Sequence, residues 1–208
     1  MTADSTVFVV DDDDAVREAV GLLLRSNGFR VETKASAAEF LATYHPNRRG
    51  CLVLDVRMPG MNGMELQSKL AADRFCIPVI IISGHGDIPM AVAAVQAGAV
   101  DFIEKPFDEG RLLATVKRAL ALDEERRREA AVATGAAARQ SRLTAREREV
   151  LERVVAGDPN KVIAARLGIS ARTVEIHRAR VMEKMRARSV AELVQMALYT
   201  KPDKSTFG

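Results

Sequence analysis

The sequence predicts an α/β chain of two unlike parts: a five-stranded parallel sheet wrapped by helices, then, past a helical linker, a small all-α domain built on a helix-turn-helix. Three observations carry this. Through about residue 122, short β-branched runs alternate with amphipathic stretches, the pattern of repeated βα units. The runs CLVL and PVIII, starting at Cys51 and Pro78, are nearly continuous apolar segments, which suits strands covered on both faces. After Gln140 the strand pattern stops, and helical periodicity with capping residues takes over.

Strands are predicted at Thr6–Val10, Arg30–Thr33, Cys51–Leu54, Pro78–Ile82 and Val100–Ile103, accompanied by five helical stretches. The first helix, Ala15–Asn27, repeats Val16, Val20, Leu23 and Leu24 at helical spacing and ends before Gly28. The set predicts a doubly wound, flavodoxin-like sheet whose functional residues gather at the carboxyl ends of the strands. From Glu109 a helix runs on through Gln140, its apolar period giving way to charge and then to small residues. In its DEERRRE segment the charges nearly cancel and aromatics are lacking, so a solvated helix face is expected there. Further on, Thr144 and Glu147 have the spacing of a capping box at the head of a helix that stops near Gly157. A short helix that Asn160 would cap, the turn GIS, a longer helix with Ser170 as N-cap and a last helix over SVAELVQMAL complete four helices. The expected divisions are residues 1–122 for the sheet domain, 123–140 for the linker and 141–208 for the helical domain.

The chain has 208 residues, enough for one mid-sized and one small core. Its net charge of +3 is unevenly spread: residues 1–122 carry −3 and residues 140–208 carry +6, so the helical domain is the part suited to nucleic acid. No apolar run reaches membrane-spanning length, and the N-terminus enters a strand directly, without a basic segment or cleavage site. A soluble, cytoplasmic protein with no membrane partner is expected. The two cysteines, Cys51 and Cys76, lack metal or disulfide spacing and are expected as buried, reduced thiols.

Each predicted strand end but the second carries a polar group: Asp11 and Asp12, Asp55, Ser83 and Lys105. Taken singly they have plain readings, DDDD as a solvated cap and Asp55 as the cap of the turn before MPG. Together they are the parts of a phosphoryl-transfer site. Carboxylates clustered at one edge repel unless a cation joins them, and a hard divalent ion such as Mg²⁺ accepts a few carboxylate oxygens together with water and phosphate. Asp55 is then placed as a nucleophile on phosphorus, with the Lys105 ammonium and the Ser83 hydroxyl neutralising the equatorial oxygens.

The segments VVDDDDAVRE, LVLDVRMPGMNGMEL, VIIISGHGD and GAVDFIEKPF resemble the receiver domain of bacterial response regulators, over about residues 6–122. That resemblance implies Asp55 as phosphoacceptor. It implies a Mg²⁺ or Mn²⁺ site on Asp12, Asp55 and the backbone carbonyl of Arg57, with Asp11 supporting the acidic pocket. It implies Lys105 as the phosphoryl contact before Pro106, whose peptide bond is often cis in the family, and Ser83 and Phe102 as the switch hydroxyl and switch aromatic. Phe102 as plain core and Ser83 as a strand-end cap remain open.

The segment LTAREREVLERVVAGDPNKVIAARLGISARTVEIHRARVMEKMRARS resembles the DNA-binding domain of the LuxR and NarL class, and the whole arrangement resembles FixJ-type regulators. A helical wheel turns Val174, His177, Val181 and Met185 toward the domain core and Arg172, Glu175, Ile176, Ala179, Arg180 and Glu183 outward. Glu175, Ile176 and Arg180 suit base edges, while Lys161, Thr173 and Arg178 suit phosphates, with Lys184 among the cations of the same surface. Ala179 stands where some family members place a base-reading Lys, so the DNA sequence does not transfer by analogy. The resemblance implies a transcription factor that promotes only its own phosphoryl transfer and dephosphorylation. Its implied partners are a sensor histidine kinase, double-stranded promoter DNA, RNA polymerase and, on phosphorylation, a second copy of the chain.

Rival readings are distinguishable by motif. An aspartyl-phosphate phosphatase places its nucleophile in a DxD after the first strand, whereas here the candidate follows the third. A flavin module needs a Ser/Thr/Gly-rich loop after the first strand, where this chain has DDDD. A four-helix module or an output domain that binds protein is opposed by Arg172, Arg178, Arg180, Lys184, Arg186 and Arg188, a density suited to phosphate contact.

Overall fold

Every second residue of a strand points to the same face, and the apolar runs here are long enough to fill both faces of a sheet. The computed structural model describes residues 5–84 and 88–199; the His85–Asp87 part of the VIIISGHGD motif, the first four residues and the end of the chain from Thr200 lie outside them. The elements run β1 (Thr6–Val10), α1 (Asp14–Ser26), β2 (Arg30–Lys34), α2 (Ala37–Thr43), β3 (Gly50–Asp55), α3 (Gly63–Ala72), β4 (Val79–Ser83), α4 (Ile88–Gln96), β5 (Asp101–Glu104) and α5 (Glu109–Gln140). Then follow α6 (Ala145–Val155), α7 (Asn160–Leu167), α8 (Ala171–Met185) and α9 (Val190–Tyr199). The chain divides into two units, Met1–Arg126 and Arg127–Gly208.

In the first unit the strands form one parallel sheet in the order β2-β1-β3-β4-β5, the doubly wound arrangement expected from the sequence. Register pairs Val10 with Leu54, Asp55 with Ile82 and Ser83 with Glu104, which lines up the carboxyl ends of the inner strands. The alternation within β1 is visible in the core. Phe8 and Val10 face α2, α3 and α4 through Phe40, Leu66, Leu70 and Ala94, while Val7 and Val9 face α1 and α5 through Val20, Leu24, Leu112 and Val116. The five predicted strands agree with the observed ones to within one residue at each end.

In the second unit Val150, Leu151, Ile163, Val174, Val181, Met185 and Leu193 form one core, with Ala136 packed among them. Thr144 and Glu147 make the full capping box, and Ser170 accepts from the Thr173 amide at 3.0 Å as N-cap of α8. Asn160 does not cap its helix. Pro159 holds the N-cap position without a side-chain bond, and the Asn160 carboxamide oxygen accepts from Arg178 Nη1 at 2.9 Å instead. The cysteine expectation also needs correction: Cys51 is buried in β3, but Cys76 is exposed in the connection between α3 and β4. Burial pushes the Cys51 thiol well above its ordinary range, with the nearby Asp123 carboxylate adding to the shift. Among the described residues, no helix is long and apolar enough to cross a membrane.

Candidate functional site

The four successive aspartates after β1 divide into different tasks, because each meets a different neighbour. Asp11 is 1% exposed; its Oδ1 accepts from the Asp13 amide at 3.0 Å and its Oδ2 from Lys105 Nζ at 2.7 Å. Asp12 is exposed at the rim. Asp13 caps α1, accepting from the amides of Ala15 and Val16 at 2.9 and 3.2 Å, and Asp14 in the first turn pairs with Arg17. Arg17, which the sequence did not single out, also donates from Nη1 to the Asp11 carbonyl at 2.8 Å, fixing the backbone on which the acidic group stands. An Arg in the first turns of an amphipathic helix carries no signal of that role in sequence alone.

Asp55 ends β3 and is 5% exposed. Its Oδ2 accepts from the Arg57 amide at 2.6 Å and its Oδ1 from Lys105 Nζ at 2.7 Å, so one ammonium bridges the two buried carboxylates. Lys105 follows β5 directly, its amide donates to the Ser83 carbonyl at 2.8 Å, and the Lys105–Pro106 peptide is cis. Ser83 is buried at the end of β4. Phe102 is half-buried and packs against the core on the α2–α4 side of the sheet.

Asp11, Asp12 and Asp55 each offer a carboxylate oxygen, and these oxygens lie within 4.8 Å of one another. Burial pushes the Asp11 carboxyl above its ordinary value, a shift only partly offset by the hydrogen bond and charge of Lys105. Lys105 itself is pulled down by burial, but its bonds to Asp11 and Asp55 outweigh that, and its net shift is upward. Three carboxylates against one ammonium leave excess negative charge, the condition a hard cation relieves.

Gly63, the first residue of α3, is a further component that sequence reading passed over. A Cβ built there would lie 2.1 Å from the Asp55 carbonyl oxygen, and its amide donates to the Val56 carbonyl at 2.9 Å. Only a residue without a side chain lets α3 start this close to the strand end that carries Asp55.

On the helical unit, α8 sorts by burial as its wheel predicts. Val174, Val181 and Met185 are buried and His177 half-buried, while Arg172, Glu175, Ile176, Ala179, Arg180 and Glu183 are exposed, Ile176 at 44%. Lys161 is exposed on α7 and Thr173 half-buried beside its Ser170 cap. Several of the candidate DNA-contacting cations have internal partners. Arg172 Nη1 donates to Glu175 at 3.1 Å, Arg178 is tied to Asn160, and Lys184 Nζ donates to Glu147 Oε2 at 2.6 Å.

That last pair is structural. Glu147 is 2% exposed and its carboxylate closes the capping box on the Thr144 amide at 2.8 Å. The Lys184 hydrogen bond, followed by the Thr144 amide, holds its carboxyl below the ordinary glutamate range despite burial. A depressed carboxyl contributes stability that is present above its unfolded-state pKa and lost as pH falls through the folded one. Lys184→Met should therefore destabilise the helical unit at neutral pH by about 1–3 kcal/mol, toward the lower end because water reaches the lysine. Thermal melts of both proteins should converge in acid, once Glu147 is protonated; a gap of equal size at acid and neutral pH would contradict this.

Residues 7–117 match the response regulator receiver domain, and residues 141–197 match the bacterial regulatory proteins of the luxR family. The chain is 50% identical over 192 residues to the transcriptional regulatory protein FixJ of Azorhizobium caulinodans, covering 92% of this chain and 91% of that one. It is 49% identical over 195 residues to FixJ of Rhizobium meliloti, covering 94% and 96%. Among solved structures it resembles the response regulator StyR, with a TM-score of 0.80 at 48% identity over 94% of this chain and 99% of that one. It also resembles full-length FixJ from B. japonicum, with a TM-score of 0.57 at 44% identity over 96% and 98%.

Fold, acidic edge and helix-turn-helix together define a two-component response regulator. The chain belongs to the FixJ-type response regulators, which join a receiver domain to a LuxR-type DNA-binding domain. It is accordingly a phosphorylation-regulated transcription regulator, and its two domains imply a sensor kinase and DNA as partners.

Proposed function

We propose that Asp55 takes a phosphoryl group from a sensor histidine kinase, and that the phosphorylated chain dimerises through its receiver and binds promoter DNA. The observation that carries this reading is the convergence of Asp11, Asp12 and Asp55 at one sheet edge with Lys105 bridging two of them. We assign residues 1–122 to the receiver, 123–140 to the linker and 141–208 to the DNA-binding domain. The working compartment is the cytoplasm, with RNA polymerase as the downstream partner.

Asp11, Asp12, Asp55 and the Arg57 carbonyl would hold Mg²⁺ or Mn²⁺, and their all-oxygen donor set fits such an ion. When bound, the ion neutralises charge on the phosphoryl oxygens. An Asp55 carboxylate oxygen attacks phosphorus as the bond to the kinase histidine nitrogen breaks, that nitrogen keeping the electron pair. Lys105 orients the carboxylate beforehand and then follows the transferred group. Ser83 and Phe102 would carry the change outward from the sheet edge.

On α8 we assign Arg172, Glu175, Ile176, Ala179 and Arg180 to the major groove, and Thr173 and Arg178, with Lys161 of α7, to phosphates. Lys184 we keep among the DNA-contacting cations, with its bond to Glu147 giving it a structural role as well. Dimerisation is supported by Ile88, Val92 and Val95, which leave an apolar strip exposed on α4. Two linked recognition helices make the second binding event effectively intramolecular, so half-sites should be inverted repeats. Analytical ultracentrifugation with beryllofluoride, an acyl-phosphate mimic, should convert monomer to dimer. Equal DNA binding by a protein that stays monomeric in both states would overturn the dimer.

Lys105→Arg separates uptake from response. It keeps the charge but replaces a compact ammonium with a planar fork, which does not fit between two carboxylates each 2.7 Å from Nζ. The variant should accept phosphate from acetyl phosphate yet gain little DNA affinity from it. Normal phosphorylation-dependent binding would contradict that role.

A further inference from the structure

Asn160 opens α7, where its residue type would serve as a cap, but its carboxamide oxygen is turned to α8. Arg178 Nη1 donates to that oxygen at 2.9 Å, and both residues are half-buried. Helix α7 itself starts on Pro159, without a side-chain cap. The amide is therefore engaged between two helices and not in holding the start of its own.

The acceptor is neutral, which sets this bond apart. Lys184, also on α8, meets the buried Glu147 carboxylate, which answers its charge. Arg178 belongs to no ion pair among the described residues, and Asp158, two positions before Asn160, pairs with Arg153 and Arg166 at 4.0 and 3.8 Å instead. A carboxylate in place of the Asn160 amide would bind a guanidinium more strongly but would cancel its charge. A carboxamide fixes the direction of the planar fork and leaves the charge whole. The other N–H groups of Arg178 have no partner among the described residues, so they remain to donate outward. A loose arginine loses rotamer freedom when it meets a ligand, and holding it beforehand removes that cost from binding.

We propose that Asn160 is a positioning residue for DNA binding: its carboxamide holds the Arg178 guanidinium in the direction of the phosphate it meets, without neutralising it. This rests on the reading of Arg178 as a phosphate contact. Asn160 acts through Arg178 and touches no DNA itself, so its contribution exists only while the arginine is present.

Fluorescence anisotropy at several salt concentrations tests this, with full-length protein, beryllofluoride and duplexes that the native chain enriches from a random-sequence pool. Arg178→Ala should weaken binding and make the fall of log affinity with log salt shallower by about one for each chain bound. Asn160→Ala should weaken binding by about three- to tenfold, the cost of ordering one long side chain, with the salt slope unchanged because the charge is still there. In the double variant, Asn160→Ala should add nothing to the loss from Arg178→Ala. Arg178→Lys, which keeps the charge but has no fork for the amide to aim, should behave like Asn160→Ala, and it decides even where Asn160→Ala folds poorly. The proposal is overturned if Asn160→Ala or Arg178→Lys binds as the native chain does. It is equally overturned if Asn160→Ala costs the same with and without Arg178, since Asn160 would then act on DNA directly or through the fold. Native affinity and slope in Arg178→Ala would strike the phosphate reading itself, and the positioning role with it.

Discussion

Asp55→Asn is expected to take up no phosphoryl group from acetyl phosphate and Mg²⁺, where the native chain gains one. The side chain keeps its size and its place at the end of β3, so the fold should persist, but an amide oxygen does not attack phosphorus as a carboxylate does. Asp11 is the nearest rival; both carboxylates have both oxygens engaged, but Asp11 is the more enclosed, at 1% exposed against 5% for Asp55, and burial raises its carboxyl above the ordinary value. Asp12 is open to solvent but lacks the Lys105 contact that would meet the arriving charge. Intact-mass measurement followed by peptide mapping reads this directly, and labelling that survives in Asp55→Asn would assign the acceptor elsewhere.

Gly63→Ala should do comparable damage without touching a reactive group. Its new methyl would sit 2.1 Å from the Asp55 carbonyl oxygen and 3.0 Å from the Val56 Cα, both backbone, so no side chain can swing aside to relieve it. Either α3 moves outward or the end of β3 bends. Overpacking of this kind costs about 1–3 kcal/mol, and backbone contacts place it at the upper end or beyond. The receiver's melting temperature should fall by several degrees and labelling at Asp55 should drop sharply, even at temperatures where the variant is folded. Gly60→Ala, three residues away, is a control for space, since its Cβ would meet nothing within 4 Å. It carries its own strain from a φ of +77°, so it should cost stability without loss of labelling in the folded fraction. Native-like labelling by folded Gly63→Ala would refute the close-approach argument.

Much of this was legible in the chain because it depends on local pattern. Strands covered on both faces read as unbroken apolar runs, so β1, β3 and β4 were plain, and the parallel order followed from their alternation with helices. Capping signals placed Thr144 and Ser170 correctly because an N-cap bonds only its own first turn. The same logic failed at Asn160, where a residue 18 positions away claimed the side chain. Contacts between distant segments were the ones missed. The Glu147–Lys184 pair spans 37 positions, and the bond from the Gly50 amide to the buried Asp123 carboxylate spans 73. Neither has periodicity or spacing to announce it. Gly63 was hidden for a related reason: its need to be glycine comes from the carbonyl of Asp55, which the fold brings against it. Cys76 was misplaced because a thiol is expected in a core, whereas a loop between α3 and β4 supplied no cover.

The central claim, that phosphate on Asp55 governs attachment to DNA through α8, reduces to one affinity measured under two conditions. Duplexes enriched from a random-sequence pool by the beryllofluoride-treated protein would be titrated with native chain, with and without beryllofluoride, and with Asp55→Asn under both conditions. The account predicts that beryllofluoride tightens binding by about tenfold or more in the native chain and changes nothing in Asp55→Asn. Equal affinity of the native chain in both conditions, or the same gain in Asp55→Asn, would contradict it.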